Sequence, residues 1–191
     1  MRLFTESTIR ARAQRVTSHY IKAASVLTEQ IKKQVLVDKH DIFLSHVFDD
    51  KEIVLGLALM IEDFGYTVYL DWRDDPLIDR KTVTTKTVER LRTRMKASRC
   101  LLYSTTEHAI ESKWMPWELG FKDGDNTRVA ILPISRIQTT SYQGQEYLGV
   151  YPYISDEKDT TGKRRLWVCR TLTCYVNFDS WLAGSDPTER K

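Results

Sequence analysis

Apolar and amphipathic segments alternate along residues 41–134, and this alternation constrains the fold more than any other feature of the sequence. The predicted strands lie at 41–45, 66–70, 100–103 and 128–134. The predicted helices lie at 51–64, at about 85–97, and from Ser112 to near Gly124. Strands separated by helices indicate βαβ units and a parallel sheet. Right-handed crossovers then favour a flavodoxin-like, doubly wound α/β sheet with the strand order 2-1-3-4, with or without a fifth strand.

The two ends of the chain lie outside this alternating pattern. Residues 5–34 lack glycine and proline and carry apolar residues at helical spacing, which predicts one or two helices outside the core. After residue 135 we expect an aromatic segment, a charged loop at 155–165, an added strand at 166–176 and a short helix at 177–183. The predicted organisation is an N-terminal helical extension (1–38), a central α/β domain (39–135) and a C-terminal α+β extension packed on the same core (136–191).

Charge and cysteine content argue against several classes of protein. The chain has 191 residues, and its net charge of +3 is too small to indicate binding to nucleic acid or to a membrane. No apolar run approaches the ~20 residues of a membrane span. The three cysteines match no metal-ligand spacing and no even disulfide set, so we expect a cytoplasmic protein without a metal site. Segment 1–34 has the basic, amphipathic character of a mitochondrial presequence, but Glu6 and Glu29 argue against that alternative.

The usual glycine motifs of nucleotide-binding enzymes are missing from the sequence. Its eight glycines form neither G-x-G-x-x-G nor a P-loop, which argues against a dehydrogenase and against an NTPase. There is also no G-x-S-x-G nucleophile elbow.

Polar side chains follow the predicted strands at their carboxyl ends, where open α/β sheets build their sites. The candidate substrate-binding residues at these ends are Ser45, His46, Asp49, Lys51, Asp71, Trp72 and Ser104. Two alternatives stay open: Asp49 or Asp50 can cap the helix that follows, and His46 can be a structural histidine.

The segment 71–76 is predicted to be a loop, because its proline cannot donate a ladder hydrogen bond. We expect Arg73, Asp74 and Asp75 to be solvated there. Trp72 is either a stacking surface for a ligand or a lid over the core.

A glutamate near the start of a helix is the strongest candidate for a catalytic group. Ser112 is a plausible N-cap, and Pro116 is tolerated only in the first turn of a helix. Glu118 then lies near the helix N-terminus, where the macrodipole favours an ionised carboxylate. Trp114 precedes it by four residues, on the same face or at its entry. The pattern predicts a fixed anion beside a flat apolar side chain.

This pairing suits a substrate with a cationic, planar leaving group on a sugar. NAD+ has such a group, because its nicotinamide is charged in the substrate and departs neutral, so no general acid is required. One carboxylate can then bind the ribose hydroxyls and stabilise an oxocarbenium-like transition state, provided that it is not turned into the interior. The alternative is that Glu118 only complements the helix dipole while Trp114 packs in the core.

Three segments of the sequence resemble Toll/interleukin-1 receptor (TIR) domains. They are Asp41-Ile-Phe-Leu-Ser-His-Val-Phe-Asp-Asp-Lys51, Tyr69-Leu-Asp-Trp72 and Ser112-Lys-Trp-Met-Pro-Trp-Glu118. Their order and spacing fit the first box, the so-called BB loop and the catalytic helix of that family. The segment 73–83 departs from the family, because it lacks the usual glycine and carries Asp75-Pro76 instead.

The resemblance implies a flavodoxin-like TIR fold and, for bacterial members, cleavage of NAD+ to nicotinamide and ADP-ribose or a cyclic or conjugated relative. It implies that Glu118 is catalytic, that Ser45 and His46 belong to the first box, and that Asp71 and Trp72 border the nucleotide. Standalone bacterial TIR proteins of this size are similar to the signal-producing subunit of Thoeris anti-phage systems, whose diffusible product activates a separate effector. NAD+ is then the substrate, no cofactor is expected, and self-association through TIR surfaces is expected.

Two other functions fit the same sequence. A non-catalytic TIR scaffold would act by TIR–TIR assembly and has no need of the Ser-x-Trp-x-x-x-Glu pattern. A nucleoside deoxyribosyltransferase-like enzyme also places a glutamate at a glycosidic carbon, but the first box fits it less well.

Overall fold

A mixed β-sheet forms the centre of the computed structural model, which describes residues 1–20, 39–47, 50–75, 84–106, 109, 111–144 and 146–190. Its strands are β1 (Phe4–Thr5), β2 (His40–Ser45), β3 (Val68–Tyr69), β4 (Ser98–Thr105), β5 (Val129–Ser135), β6 (Tyr153–Lys158), β7 (Arg164–Cys169), β8 (Cys174–Asn177) and β9 (Thr188–Glu189). The strands β3-β2-β4-β5-β6 are parallel neighbours in that order, which confirms the predicted order 2-1-3-4 and adds a fifth parallel strand. β7, β8 and β9 extend the sheet with antiparallel pairing.

Helices cover both faces of this sheet, as the predicted doubly wound α/β class requires. They are α1 (Glu6–Tyr20), α2 (Lys51–Glu62), α3 (Asp71–Asp74), α4 (Thr85–Ala97), α5 (Trp114–Asn126) and α6 (Phe178–Leu182). Successive residues of β2 point to opposite faces. Ile42 and Leu44 join the hydrophobic cluster that includes residues of α1, α2 and α6. Phe43 joins the cluster that includes Leu91 of α4 and Leu119 of α5. Within the described part of the chain, no helix has the length and apolar character that crossing a bilayer requires.

Local signals in the sequence set the helix ends. Gly65 follows α2 with φ +96°, a conformation that glycine adopts without strain. The Thr84 hydroxyl accepts a hydrogen bond from a backbone N–H in the first turn of α4 at 3.1 Å and caps that helix. α5 runs past its predicted end near Gly124, and closes where Thr127 adopts φ 57° and donates to the carbonyl of Asp123.

The amino-terminal segment belongs to the core, so the prediction that it lies outside the core is wrong for the described residues. β1 pairs in parallel with β5, and Phe4, Ile9 and Ala13 are at most 3% exposed. α1 lies so close to α2 that a Cβ atom at Gly56 would overlap the carbonyl oxygen of Ile9. The rest of the predicted helical segment, 21–38, lies outside the described residues, and the boundaries at 38 and 135 stay predictions.

The carboxyl-terminal part is more regular than its sequence indicates. β6 continues into the predicted charged loop 155–165, where it pairs with β7, and Ser155 and Asp156 are buried there. The single strand predicted at 166–176 is two strands, β7 and β8, joined by a turn in which Arg170 N–H donates to the Cys174 carbonyl at 2.8 Å. The terminal helix is confirmed as α6.

Candidate active site

A hydrogen bond between Ser45 and Glu118 lies at the carboxyl end of β2. The Ser45 hydroxyl donates to Glu118 Oε2 at 2.6 Å, and both side chains have no exposed surface. A bond this short to a carboxylate is of the stronger, charge-assisted kind. The structure therefore brings the predicted catalytic glutamate to the end of the first predicted strand. The carboxylate is closed to solvent, however, whereas the chemistry predicted from the sequence needs one that a ribose can reach.

The start of α5 positions this glutamate. The Ser112 hydroxyl accepts a hydrogen bond from the Met115 N–H at 3.2 Å, although Lys113, not Ser112, stands directly before the helix. Pro116 lies in the first turn, where its missing N–H costs no intrahelical bond. Met115 and Leu119 are buried in the core, and this packing fixes the rotation of the helix that carries Glu118 inward.

Ser104 joins the ends of two neighbouring strands at the same edge. Its hydroxyl donates to the backbone carbonyl of Ser45 at 2.8 Å, and its side chain is fully buried. Ser104 therefore supports the position of Ser45 from β4.

His46 and Asp71 form a second buried pair at this edge. His46 Nδ1 lies 2.7 Å from the carbonyl oxygen of Leu44 and therefore carries a hydrogen. His46 Nε2 lies 3.4 Å from Asp71 Oδ1, and the two side chains are 2% and 3% exposed. The same carboxylate oxygen accepts a hydrogen bond from the Trp72 N–H at 2.8 Å. The imidazole thus lies between the end of β2 and the beginning of α3.

The segment after β3 is a buried helical turn, so the prediction of a solvated loop at 71–75 is wrong. Asp74 is 5% exposed and accepts a hydrogen bond from the Leu70 N–H at 2.7 Å. Arg73 is held by Asp74 and by Glu62, each at 2.8 Å. Burial raises the pKa of the Glu62 carboxyl, and the Arg73 guanidinium opposes that shift.

Asp75 is also buried, and two arginines of α4 hold it. Its side chain is 2% exposed and accepts hydrogen bonds from Arg90 at 2.6 Å and Arg94 at 3.3 Å. The guanidinium of Arg94 also lies 5.6 Å from the centroid of the Tyr69 ring. These ion pairs connect the turn at 71–75 to α4, which no local pattern in the sequence indicates.

Aromatic side chains extend along α5 from its first residue. Trp114 is half-buried and meets Trp117 edge to face with 5.7 Å between ring centroids. Trp117 stacks on Phe121, and the guanidinium of Arg92 lies within 6 Å of both rings. Trp114 and Glu118 are one helical turn apart, so the predicted arrangement of an aromatic side chain beside the acid is compatible with the helix.

Three other candidates from the sequence lie on other elements or outside the described residues. Trp72 packs against the cluster on the opposite face of the sheet from Phe43. Lys51 is exposed as the first residue of α2, and Asp50 occupies the N-cap position without a side-chain cap bond. Asp49 lies outside the described residues. Substrate contacts at these positions stay predictions.

A cleft of about 540 Å³, which was not predicted from the sequence, opens at the same edge of the sheet. Tyr103 of β4 lines it together with Tyr142 and Tyr147 from the segment after β5. Burial raises the pKa of Tyr103, and a hydrogen bond with Tyr147 acts in the same direction. In register, Tyr103 lies opposite Ser45, and this pairing across two strands is the signal that could have pointed to the cleft.

The fold and this edge define a TIR-type domain: a parallel sheet of this order with the glutamate of a Ser-x-Trp-x-x-x-Glu helix bonded to the end of the central strand. No family model matches the chain. It is 42% identical, over 84% of its length and 85% of the relative, to a Bacillus cereus (strain MSX-D12) protein named probable 3' cyclic ADP-D-ribose synthase ThsB'. It is 25% identical over 83 residues, 43% of this chain and 22% of the relative, to a Cytobacillus dafuensis protein named putative cyclic ADP-D-ribose synthase TIR2. The chain belongs to the family of Thoeris TIR-domain proteins that includes ThsB'.

Proposed function

We propose that this protein is an enzyme that cleaves the nicotinamide–ribose bond of NAD+ and closes the ADP-ribose into a cyclic ADP-ribose signal for anti-phage defence. The names of the two relatives support the reaction class. The observation in this chain that carries the proposal is the Ser45–Glu118 hydrogen bond at the carboxyl end of β2. It provides a single oriented carboxylate at the edge where α/β sheets bind nucleotides.

The proposed chemistry needs one carboxylate and no metal-bound water. The C–N bond to nicotinamide breaks with its electron pair moving to the ring nitrogen, so the pyridinium leaves as a neutral molecule. Positive charge then builds up on the ribose, and the carboxylate of Glu118 stabilises it. The Ser45 hydroxyl donates to one carboxylate oxygen and fixes the orientation of the group. Trp114, one turn earlier on α5, offers an aromatic face for the departing ring.

The remaining candidates complete the proposed site. We assign substrate contacts to Ser45, His46, Asp49, Lys51, Asp71, Trp72, Ser104 and Trp114, with NAD+ as the substrate and no bound cofactor. We also propose a cytoplasmic location, self-association through TIR surfaces, and an effector reached through the diffusible product.

The burial of Glu118 adds a requirement to this proposal. With no exposed surface on the side chain, NAD+ reaches the carboxylate only after this edge of the sheet opens. The same observation favours the second candidate function, a scaffold that acts by TIR–TIR assembly and uses Glu118 only for packing. The two functions are distinguished by whether the protein releases nicotinamide from NAD+ under any condition.

Nicotinamide release from NAD+ tests the proposal. Wild type, Glu118→Gln and Glu89→Gln are compared at high protein concentration, where self-association is favoured, and their melting temperatures are measured. Glu89 is an exposed residue of α4, so its substitution is a matched control for the change of acid to amide. We expect wild type and Glu89→Gln to release nicotinamide and folded Glu118→Gln to lose at least about 100-fold in rate, the scale on which one electrostatic group acts. Equal rates for wild type and Glu118→Gln would show that Glu118 takes no part in the reaction.

A further inference from the structure

The cleft beside the Ser45–Glu118 pair is built mainly from aromatic rings. Tyr103 is 3% exposed and lies at its base, Tyr142 is half-buried, and Tyr147 is 47% exposed at its mouth. Its volume of about 540 Å³ lies within the ~300–1,000 Å³ that is usual for small-molecule sites. Flat rings on several sides favour a planar, aromatic ligand.

The cleft and the carboxylate share one face of the sheet. Ser45 of β2 is the register partner of Tyr103 of β4, and paired residues of neighbouring strands point to the same face. Pro116 also lines the cleft and lies in the first turn of α5, the helix that carries Glu118. A ligand in the cleft therefore lies next to the group proposed to act on the ribose of NAD+.

The segment that carries Tyr147 is held in an unusual backbone conformation. Glu146 has φ 48°, in the left-handed region that residues other than glycine rarely adopt. A Cβ atom at Gly144 would lie 2.6 Å from the backbone nitrogen of Gly149, so the two ends of this segment are in close contact. Backbone strain of this kind is concentrated at functional sites. Tyr147 is thereby placed in the same cleft as Tyr103.

The polar groups that line the cleft disfavour the binding of a phosphate group. No lysine or arginine is among the described residues that line it, and Glu146 contributes a carboxylate there. Such a site repels a diphosphate but accepts hydrogen bonds from an exocyclic amine or from ribose hydroxyls. Thr105 adds a hydroxyl that can serve as donor or acceptor. The adenosine end of a dinucleotide has the planar ring, the amine and the diol that these groups fit.

We propose that the cleft lined by Tyr103, Tyr142 and Tyr147 binds the adenosine end of NAD+ and folds the dinucleotide back toward Glu118. This inference rests on the proposed function and deepens it, because it explains how ring closure competes with hydrolysis. When the C–N bond to nicotinamide breaks, a hydroxyl of the adenosine ribose attacks the anomeric carbon and loses its proton to solvent. The products are neutral nicotinamide, the cyclic ADP-ribose and one proton. If the adenosine is not held, water attacks the same carbon and linear ADP-ribose results.

The ratio of cyclic to linear product tests this assignment. Wild type, Tyr147→Ala, Tyr147→Phe and Val150→Ala are incubated with NAD+, and the products are separated by liquid chromatography and mass spectrometry. Val150 is 66% exposed in the same 3-10 helical turn (Glu146–Val150) and does not line the cleft, so it controls for truncation of an exposed side chain. Loss of one ring that stacks on a base lowers binding about tenfold or more. We therefore expect Tyr147→Ala to lower the ratio of cyclic to linear product about tenfold and to raise KM, Tyr147→Phe, which keeps the ring, to change both by less, and Val150→Ala to stay near wild type.

An unchanged product ratio and KM in a folded Tyr147→Ala protein would overturn the assignment. A binding measurement separates this failure from failure of the proposed function. In saturation-transfer NMR with free adenosine, we expect transfer to the adenine protons from wild type and Val150→Ala and its loss in Tyr147→Ala. Absence of transfer from wild type would also overturn the assignment. If wild type releases no nicotinamide, the proposed function fails, and adenosine binding still decides what the cleft holds.

Discussion

Replacing Ser45 with alanine removes the hydroxyl that donates to Glu118 Oε2 at 2.6 Å, at a position where neither side chain is exposed. A hydrogen bond to a charged group contributes about 1.5–3 kcal/mol, and solvent cannot replace this donor without opening the site. We therefore expect the free energy of unfolding to fall by about 2 kcal/mol. For a domain of this size, that lowers the melting temperature by roughly 4–8 °C. Urea denaturation followed by circular dichroism gives the free energy directly.

Two matched variants test whether the charge on Glu118 strengthens its hydrogen bond with Ser45. Ser104→Ala removes a hydroxyl that donates over 2.8 Å to the neutral carbonyl of Ser45, and we expect a cost of about 1 kcal/mol. In a Glu118→Gln background the partner of Ser45 is neutral, so Ser45→Ala should cost about 1 kcal/mol there as well. Equal costs of Ser45→Ala with glutamate and with glutamine at position 118 would refute a charge-assisted bond between these residues.

Two further predictions concern the fold. Gly56→Ala should destabilise the protein by about 1–3 kcal/mol, because the added Cβ would overlap the Ile9 carbonyl oxygen and push α1 away from α2. In the same urea titration Gly124→Ala should be neutral or stabilising, because it is in a helix with open space around it; an equal loss in both variants would contradict the close contact. Burial lowers the pKa of His40 below its ordinary value of 6.5, so its contribution to stability is complete above pH 6.5 and is lost as the pH falls toward the lowered value. His40→Gln should therefore reduce the loss of stability between about pH 7.5 and about pH 5.5, and an unchanged loss would show that His40 is not its source.

The strand order was predictable because it depends on patterns that are local in the sequence. The apolar segments from 41–45 to 128–134 and the helices between them leave few arrangements of a parallel sheet, and the observed order is among them. The strand β1 was missed because two residues carry too weak a pattern. Its place beside β5 depends on pairing between residues 4 and 134, which no local pattern indicates.

The position of Glu118 at the end of β2 was predictable from the sequence, whereas the contacts of the charged turn after β3 were not. The helix signals around Ser112 and Pro116 bring Glu118 to the end of β2. The charged turn after β3 was predicted to be solvated, because charged side chains usually lie at the protein surface. It is buried because Arg73 meets Glu62 and because Asp75 meets two arginines of α4, and these contacts exist only in the folded chain.

The aromatic cleft shows the same limit of local patterns. Tyr103 and Tyr147 are far apart in the sequence, and no spacing links them. The register of β4 with β2 and the close contact between Gly144 and Gly149 appear only in the folded chain, where both tyrosines line one cleft.

A crystal structure with a non-hydrolysable NAD+ analogue measures most directly whether the buried carboxylate serves the nicotinamide ribose. We expect this edge of the sheet to open and a carboxylate oxygen of Glu118 to lie within about 2.6–3.2 Å of a hydroxyl on that ribose. An analogue bound elsewhere, with Glu118 still closed off against Ser45, would contradict it.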